Sequence, residues 1–113
     1  MKKKLVYWVD DERHPAFFLP EEYFTSEDID RVIWIKSYDI LVWYVDHFGM
    51  PDEIHLDHDL GEGKSGLDCA KFIVERCERD GCKLPVYYCQ SNNPSGKKNI
   101  LSYLSSYEKS CEM

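Results

Sequence analysis

Short unbroken apolar runs alternate along the chain with longer segments whose apolar residues recur every three or four positions. Residues 5–9 form a run that stops abruptly at Asp10, Asp11, Glu12 and Arg13, the pattern of a strand buried on both faces. Residues 31–35 repeat it. Glu53–Leu56 leads into Asp57-His58-Asp59-Leu60-Gly61, and residues 85–89, rich in Val and Tyr, lead into Gln90-Ser91-Asn92-Asn93. Ser37 is placed to cap a helix over Tyr38–Phe48, with Gly49 as its stop and Pro51 just beyond. Residues 40–45 are apolar all round and would also suit a strand, but the segment's length, Ser start and Gly stop favour a helix. Ser65 and Gly66 open a second helix with Leu67, Ala70, Val74 and Cys77 on one stripe, ending near Gly81. The last helix begins at Asn93-Pro94 or Ser95-Gly96 and carries Ile100, Leu104 and Tyr107 on a shared face. Pro15 and Pro20 predict that residues 14–29 are loop with at most short helical turns.

Strands alternating with helices predict an α/β domain: a three-layer arrangement around a parallel sheet of about four strands, joined by right-handed crossovers. With 113 residues, 43% of them hydrophobic, residues 1–113 suit a single domain with one core. Eight Tyr, five Phe and three Trp should lie in that core or in one interface. The helix over Tyr38–Phe48 leaves aromatics such as Trp43 or Tyr44 on its outer side, so a homodimer through this helix is expected.

Charge narrows the partners. The balance of 21 acidic to 14 basic residues, net −7, argues against extended duplex nucleic acid and leaves a small phosphorylated ligand or an RNA end. The lysines at 2–4 are the only basic run and receive no function. Cys69, Cys77, Cys82, Cys89 and Cys111 are odd in number and hold no C-x-x-C pair, which fits reduced thiols in a cytoplasmic protein better than disulfides or a zinc knuckle. The apolar run near the start is too short for a signal peptide, and no run reaches membrane-spanning length.

Ligands of an open parallel sheet bind beyond the carboxyl ends of its strands. There this sequence places Asp10-Asp11, Asp57-His58-Asp59 and Ser91-Asn92-Asn93. Four aspartates in one crevice repel each other unless a cation intervenes, and hard oxygen donors suit Mg2+ or Mn2+. Helix and loop capping is the competing explanation for any one of them; their gathering at three strand ends favours a site. His58, flanked by two aspartates, is a candidate acid or base near neutral pH, or else a metal ligand or a hydrogen-bonded structural ring. His55 is expected to pack against a helix, and His14 and His47 give no signal. Arg13, Lys64, Lys97 and Lys98 are candidate anion contacts beside the amino end of the last helix, Arg13 foremost because it follows the acidic pair directly.

Trp8-Val9-Asp10-Asp11-Glu12-Arg13, Ile54-His55-Leu56-Asp57-His58-Asp59-Leu60-Gly61 and Ser91-Asn92-Asn93-Pro94-Ser95-Gly96 together resemble the cyclic-phosphate processing receiver family, in order and over nearly the whole chain. The resemblance implies a receiver-like (flavodoxin-like) fold that acts on or senses cyclic phosphates, in settings such as RNA repair. It assigns Asp10 and Asp11 to a metal-binding acidic pair, Asp57 to the receiver's phosphoacceptor position and Ser91 to that of a small hydroxyl residue. An ordinary receiver has a fifth β/α unit with a lysine that contacts the phosphoryl group; this chain stops before it, which disfavours phosphorelay.

The expected activity is a metal-dependent phosphoesterase. Mg2+ is held mainly by Asp11 and Asp57, with Asp10 and Asp59 nearby, His58 handles a proton, and Arg13, Ser91, Asn93, Gly96 and Lys97 position the phosphate. The alternatives are a non-catalytic sensor or interaction module that binds a nucleotide, and a degenerate response-regulator receiver. His55-Leu56-Asp57-His58 is also similar to part of the metallo-β-lactamase zinc motif, but Glu53 stands where that motif has a further histidine and the chain is too short for that fold. An HD-type phosphohydrolase is disfavoured because that fold is helical, whereas His58-Asp59 follows a strand.

Overall fold

Strand-forming runs and their helical partners assemble as expected in a computed structural model that describes residues 3–61 and 63–111; Lys2 of the basic run lies outside them. The elements are β1 (Lys4–Val9), α1 (Glu22–Thr25), β2 (Ile29–Ile35), α2 (Tyr38–Phe48), β3 (Glu53–Leu56), α3 (Gly66–Asp80), β4 (Val86–Cys89) and α4 (Pro94–Cys111). All strand pairs are parallel, in the order β2-β1-β3-β4. Val9 pairs with Ile35 and Leu56, and Leu56 with Cys89, so the four strands end in one row. The ladder runs one residue further: Asp10 N–H donates to Ile35 O (3.0 Å), Asp57 N–H to Val9 O (2.9 Å) and Gln90 N–H to Leu56 O (3.0 Å). Asp10, Asp57 and Gln90 are thereby fixed side by side at the carboxyl edge.

Alternation divides the sheet's two faces. Tyr7, Val9, Ile33, Ile35, Ile54 and Leu56 face the core and pack against Leu41 and Val45 of α2, Ala70, Ile73, Val74 and Cys77 of α3, and Ile100 and Leu104 of α4. Each fully buried Leu or Ile side chain contributes on the order of 2 kcal/mol. Leu67 of the expected α3 stripe is half-buried against this core, and Cys69 and Ile73 join the stripe. Val6, Trp8, Glu53, His55 and Tyr88 share the other face. The β1-to-β2 connection steps in the opposite direction from the rest, so its right-handed crossover falls on that side. Pro15 and Pro20 leave it only a one-turn 3-10 helix (Pro15–Phe17) and the four-residue α1. The third layer is consequently thin, with Phe17, Phe18, Phe24 and Tyr88 exposed.

This thin layer corrects one expectation: β2 is an edge strand rather than one buried on both faces. It starts at Ile29, and only Ile33 and Ile35 are buried, because Val32 and Trp34 point to the sparsely covered side. The helical reading of residues 40–45 stands. Ser37 Oγ accepts from Ile40 N–H (3.2 Å), and Gly49, with φ 92°, ends the helix. Trp43 is 49% exposed and stacks on His47 (4.1 Å between centroids). All five cysteines are free thiols. Among the described residues no helix is long and apolar enough to cross a membrane.

Candidate functional site

Asp10 ends β1 fully buried, which requires its carboxylate to be hydrogen-bonded. Its Oδ1 accepts from the N–H groups of Glu12 (2.9 Å) and Arg13 (2.8 Å), and its Oδ2 from Arg13 Nη1 (3.2 Å) and Gln90 Nε2 (3.4 Å). Two indoles brace the turn: Trp34 Nε1 donates to Asp10 O (2.7 Å) and Trp8 Nε1 to Arg13 O (2.7 Å). Asp57, one strand over and 4% exposed, lies 3.5 Å from the same Arg13 Nη1. One carboxylate oxygen from each of Asp10, Asp11 and Asp57 lies within 4.8 Å of the others.

Arg13 is therefore the built-in counter-ion of an acidic centre. Burial and the neighbouring Asp10 raise the Asp57 carboxyl above the usual range; hydrogen bonds from Ser91 and the Asp59 backbone, with the Arg13 charge, oppose them. Asp10 has spent its oxygens on four donors, which leaves Asp11 and Asp57 as the open ligands. Gln90 Oε1, beside Asp10, is buried with no hydrogen-bond partner among the described residues, an acceptor that a metal-bound water would satisfy. Hard oxygens, a carboxylate destabilised by its neighbour and an orphan acceptor together fit a hydrated divalent cation such as Mg2+.

The pocket at this edge, about 280 Å³, is lined by Asp11, Glu12, Arg13, Asp57, Asp59, Gly61 and Asn92. Of the residues expected at the site, it gathers Asp11, Arg13, Asp57 and Asp59, with Asp10 beneath. His58 lies outside the lining: its Nδ1 meets Asp59 Oδ1 at 3.1 Å, and a Cβ on Gly96 would stand 2.3 Å from its ring, so only glycine lets α4 pack there. Gly66 is held to the same standard, since a Cβ would lie 1.9 Å from Asp57 O where α3 starts beneath the strand end. Ser91 is outside the lining, and its Oγ accepts from Asn93 N–H (3.0 Å). Asn93 Oδ1 accepts from Gly96 N–H (2.9 Å) as a helix cap, Lys97 and Lys98 are exposed on α4 away from the lining, and Lys64 sits over the Tyr38 ring.

Sequence reasoning gave Glu12 and Gln90 no role and placed Asn92 at this edge only as part of the Ser91-Asn92-Asn93 cluster. Gln90 was findable, being the first residue past β4 in the row of Asp10 and Asp57. It also passed over a buried cluster on the thinly covered face, where Glu53 accepts from Tyr23 Oη (2.6 Å) and meets His55 Nε2 (2.6 Å). His55 packs against Tyr23 of α1 as well as Trp8 and Tyr88, and burial lowers its pKa despite Glu53. A wider hollow of about 740 Å³, lined by Lys3, Tyr23, Asp28 and Glu53 among others, opens at the amino ends of the strands, away from the Asp10–Asp57 centre.

Residues 5–106 match the family model of the cyclic-phosphate processing receiver domain. No curated protein matches the chain. Among solved structures, the phosphorylated cyanobacterial phytochrome response regulator RcpA superposes with a TM-score of 0.63 at 18% identity, over 95% of this chain and 90% of that one. The signal receiver domain of a putative LuxO repressor protein from Vibrio parahaemolyticus gives 0.52 at 14% identity, over 97% and 93%. A fusion carrying a yeast Spc42 trimeric coiled coil gives 0.61 at 24% identity over 90% of this chain, which spans 64% of that fusion's length. These likenesses establish the fold as that of receiver domains.

Proposed function

The chain belongs to the cyclic-phosphate processing receiver domain family, and from that premise we propose that it holds Mg2+ or Mn2+ at Asp11 and Asp57 and hydrolyses a cyclic phosphate on a nucleotide or RNA end. The observation that carries this reading is the three-carboxylate centre with a single guanidinium, Arg13, inside hydrogen-bonding reach. When bound, a divalent cation polarises the phosphoryl oxygens and lowers the pKa of a coordinated water. Arg13 holds a non-bridging oxygen of the phosphate, its planar donor pair matching that geometry. Asp59, which faces the pocket, takes the proton of the attacking water. As water bonds to phosphorus, one ring P–O ester bond breaks and its oxygen takes a proton from solvent water, while Asp59 returns its own to solvent. His58 acts through Asp59 as a positioning residue, because its Nδ1 contact orients that carboxylate.

His58→Asn tests this role. Turnover of nucleoside 2′,3′-cyclic phosphates, followed by chromatography, is expected to fall roughly 100-fold while Mg2+ affinity is kept. Turnover at the parent's rate would remove His58 from the mechanism. A second reading, binding without turnover, is favoured by the packing of the His58 ring on Gly96 outside the pocket. In that case one cyclic phosphate binds in Mg2+ and no product forms. An acyl phosphate on Asp57 after treatment with a small phosphodonor would instead mark a phosphoaccepting receiver.

A homodimer through α2 belongs to the same proposal, since Ile40, Trp43 and Phe48 leave apolar surface outside the core. Sedimentation at micromolar concentration is expected to show a dimer that Trp43→Glu dissociates; a monomer for both proteins contradicts it.

A further inference from the structure

Phe18 stands out as a large apolar ring that is 56% exposed although the fold gives it a rigid base. Its backbone closes the 3-10 turn, Phe18 N–H donating to Pro15 O (3.1 Å), and Pro15 is buried. One face of its ring lies over Trp8, with centroids 6.3 Å apart and planes 22° from parallel. Trp8 is itself only 2% exposed and is locked by its bond to Arg13 O and by His55 on its flank. The ring is thereby held in place with much of its surface exposed. The guanidinium carbon of Arg13 lies over it, 5.9 Å from the centroid.

We infer that Phe18 is a stacking ledge for a nucleobase, so that the ligand of the acidic pocket is a nucleoside or RNA-terminal cyclic phosphate rather than a cyclic phosphate without a base. The inference rests on the binding reading above. Arg13 joins the two halves of such a ligand: phosphate on the guanidinium, base on the ring, and one ribose between them. Phenylalanine offers a π face and no hydrogen bond, so the ledge accepts all four bases with little preference. Phe17 is more exposed but packs on His14 rather than Trp8, and takes no part.

The test compares adenosine 2′,3′-cyclic phosphate with glycerol 1,2-cyclic phosphate in Mg2+, reading dissociation constants, or KM where a ligand turns over. Stacking on one ring gives the adenosine compound an advantage of roughly tenfold or more. Phe18→Leu is expected to collapse that ratio to about one, and Phe18→Tyr to keep it; melting curves confirm that both variants fold. A ratio near one in the parent, or one that survives in Phe18→Leu, overturns the ledge and leaves the metal-dependent reading standing. If neither compound binds, both readings fall.

Discussion

Asp57→Asn is expected to move thermal stability in opposite directions without and with Mg2+. Burial and the Asp10 charge raise the Asp57 carboxyl in the folded protein, so the native state holds that proton more tightly than the unfolded chain does. Stability is then greatest below the unfolded carboxyl value and is lost as pH rises through the raised native one. The penalty is present in full once pH has passed that raised value. Asparagine keeps the shape and removes the charge, so the metal-free variant should melt higher than the parent, and the decline of its melting temperature with rising pH should flatten. With Mg2+ at about 100 times its dissociation constant, selective binding to the native parent adds about 2.7 kcal/mol, a rise on the order of 10 °C for a domain of this size. Asp57→Asn should forgo most of that rise. Calorimetry at several pH values with and without Mg2+ reads both effects; a variant that melts below the parent in both conditions would show that Asp57 is structural.

Arg13→Gln should separate metal from phosphate. The Arg13 guanidinium neutralises Asp10 at 3.2 Å and Asp57 at 3.5 Å, so it occupies electrostatically the place a divalent cation needs. Removing it leaves clustered carboxylates without a protein cation. The metal-free protein should lose about 2–3 kcal/mol, less than the roughly 3–5 kcal/mol for a fully buried pair because the Arg13 side chain is 18% exposed. Mg2+ should bind about tenfold tighter, the repulsion from a neighbouring unit charge having gone. Capture of a cyclic phosphate should weaken by roughly 10- to 100-fold, the worth of a charge-assisted pair of hydrogen bonds. Scanning calorimetry measures the first and titration calorimetry the other two. A general loosening of the site would lower both affinities together, so only their opposed movement supports a counter-ion that also grips phosphate.

Much of this arrangement was legible in the residues themselves. An unbroken apolar run that ends on acidic residues marked β1, the acidic stretch after Leu56 marked the end of β3, and the Ser37 and Ser65 starts and the Gly49 and Gly81 stops marked α2 and α3, because caps and periodicity are local properties. The fate of residues 31–35 was not local: whether an apolar run is buried on both faces depends on what covers the sheet, and here prolines at 15 and 20 leave one side thinly covered at its β2 edge. Within the site, strand-end logic located Asp10, Asp11, Arg13, Asp57 and Asp59. It could not tell where side chains turn. His58 rotates out against Gly96 because the tight start of α4 offers its ring a place to pack, while Asn93 is spent on capping that helix and Asn92 takes the pocket wall. Gln90 and the Glu53–His55–Tyr23 cluster depend on pairing register, which only the assembled sheet supplies.

The central claim is that the Asp10–Asp11–Asp57 centre binds a cyclic phosphate through a divalent cation. It is tested most directly by titrating the protein with nucleoside 2′,3′-cyclic phosphates, with and without Mg2+, while following product by chromatography. The account predicts binding and ring opening in Mg2+, neither after the metal is chelated, and neither in Asp57→Asn. Equal binding with and without Mg2+, or no binding of any cyclic phosphate in either condition, would contradict it.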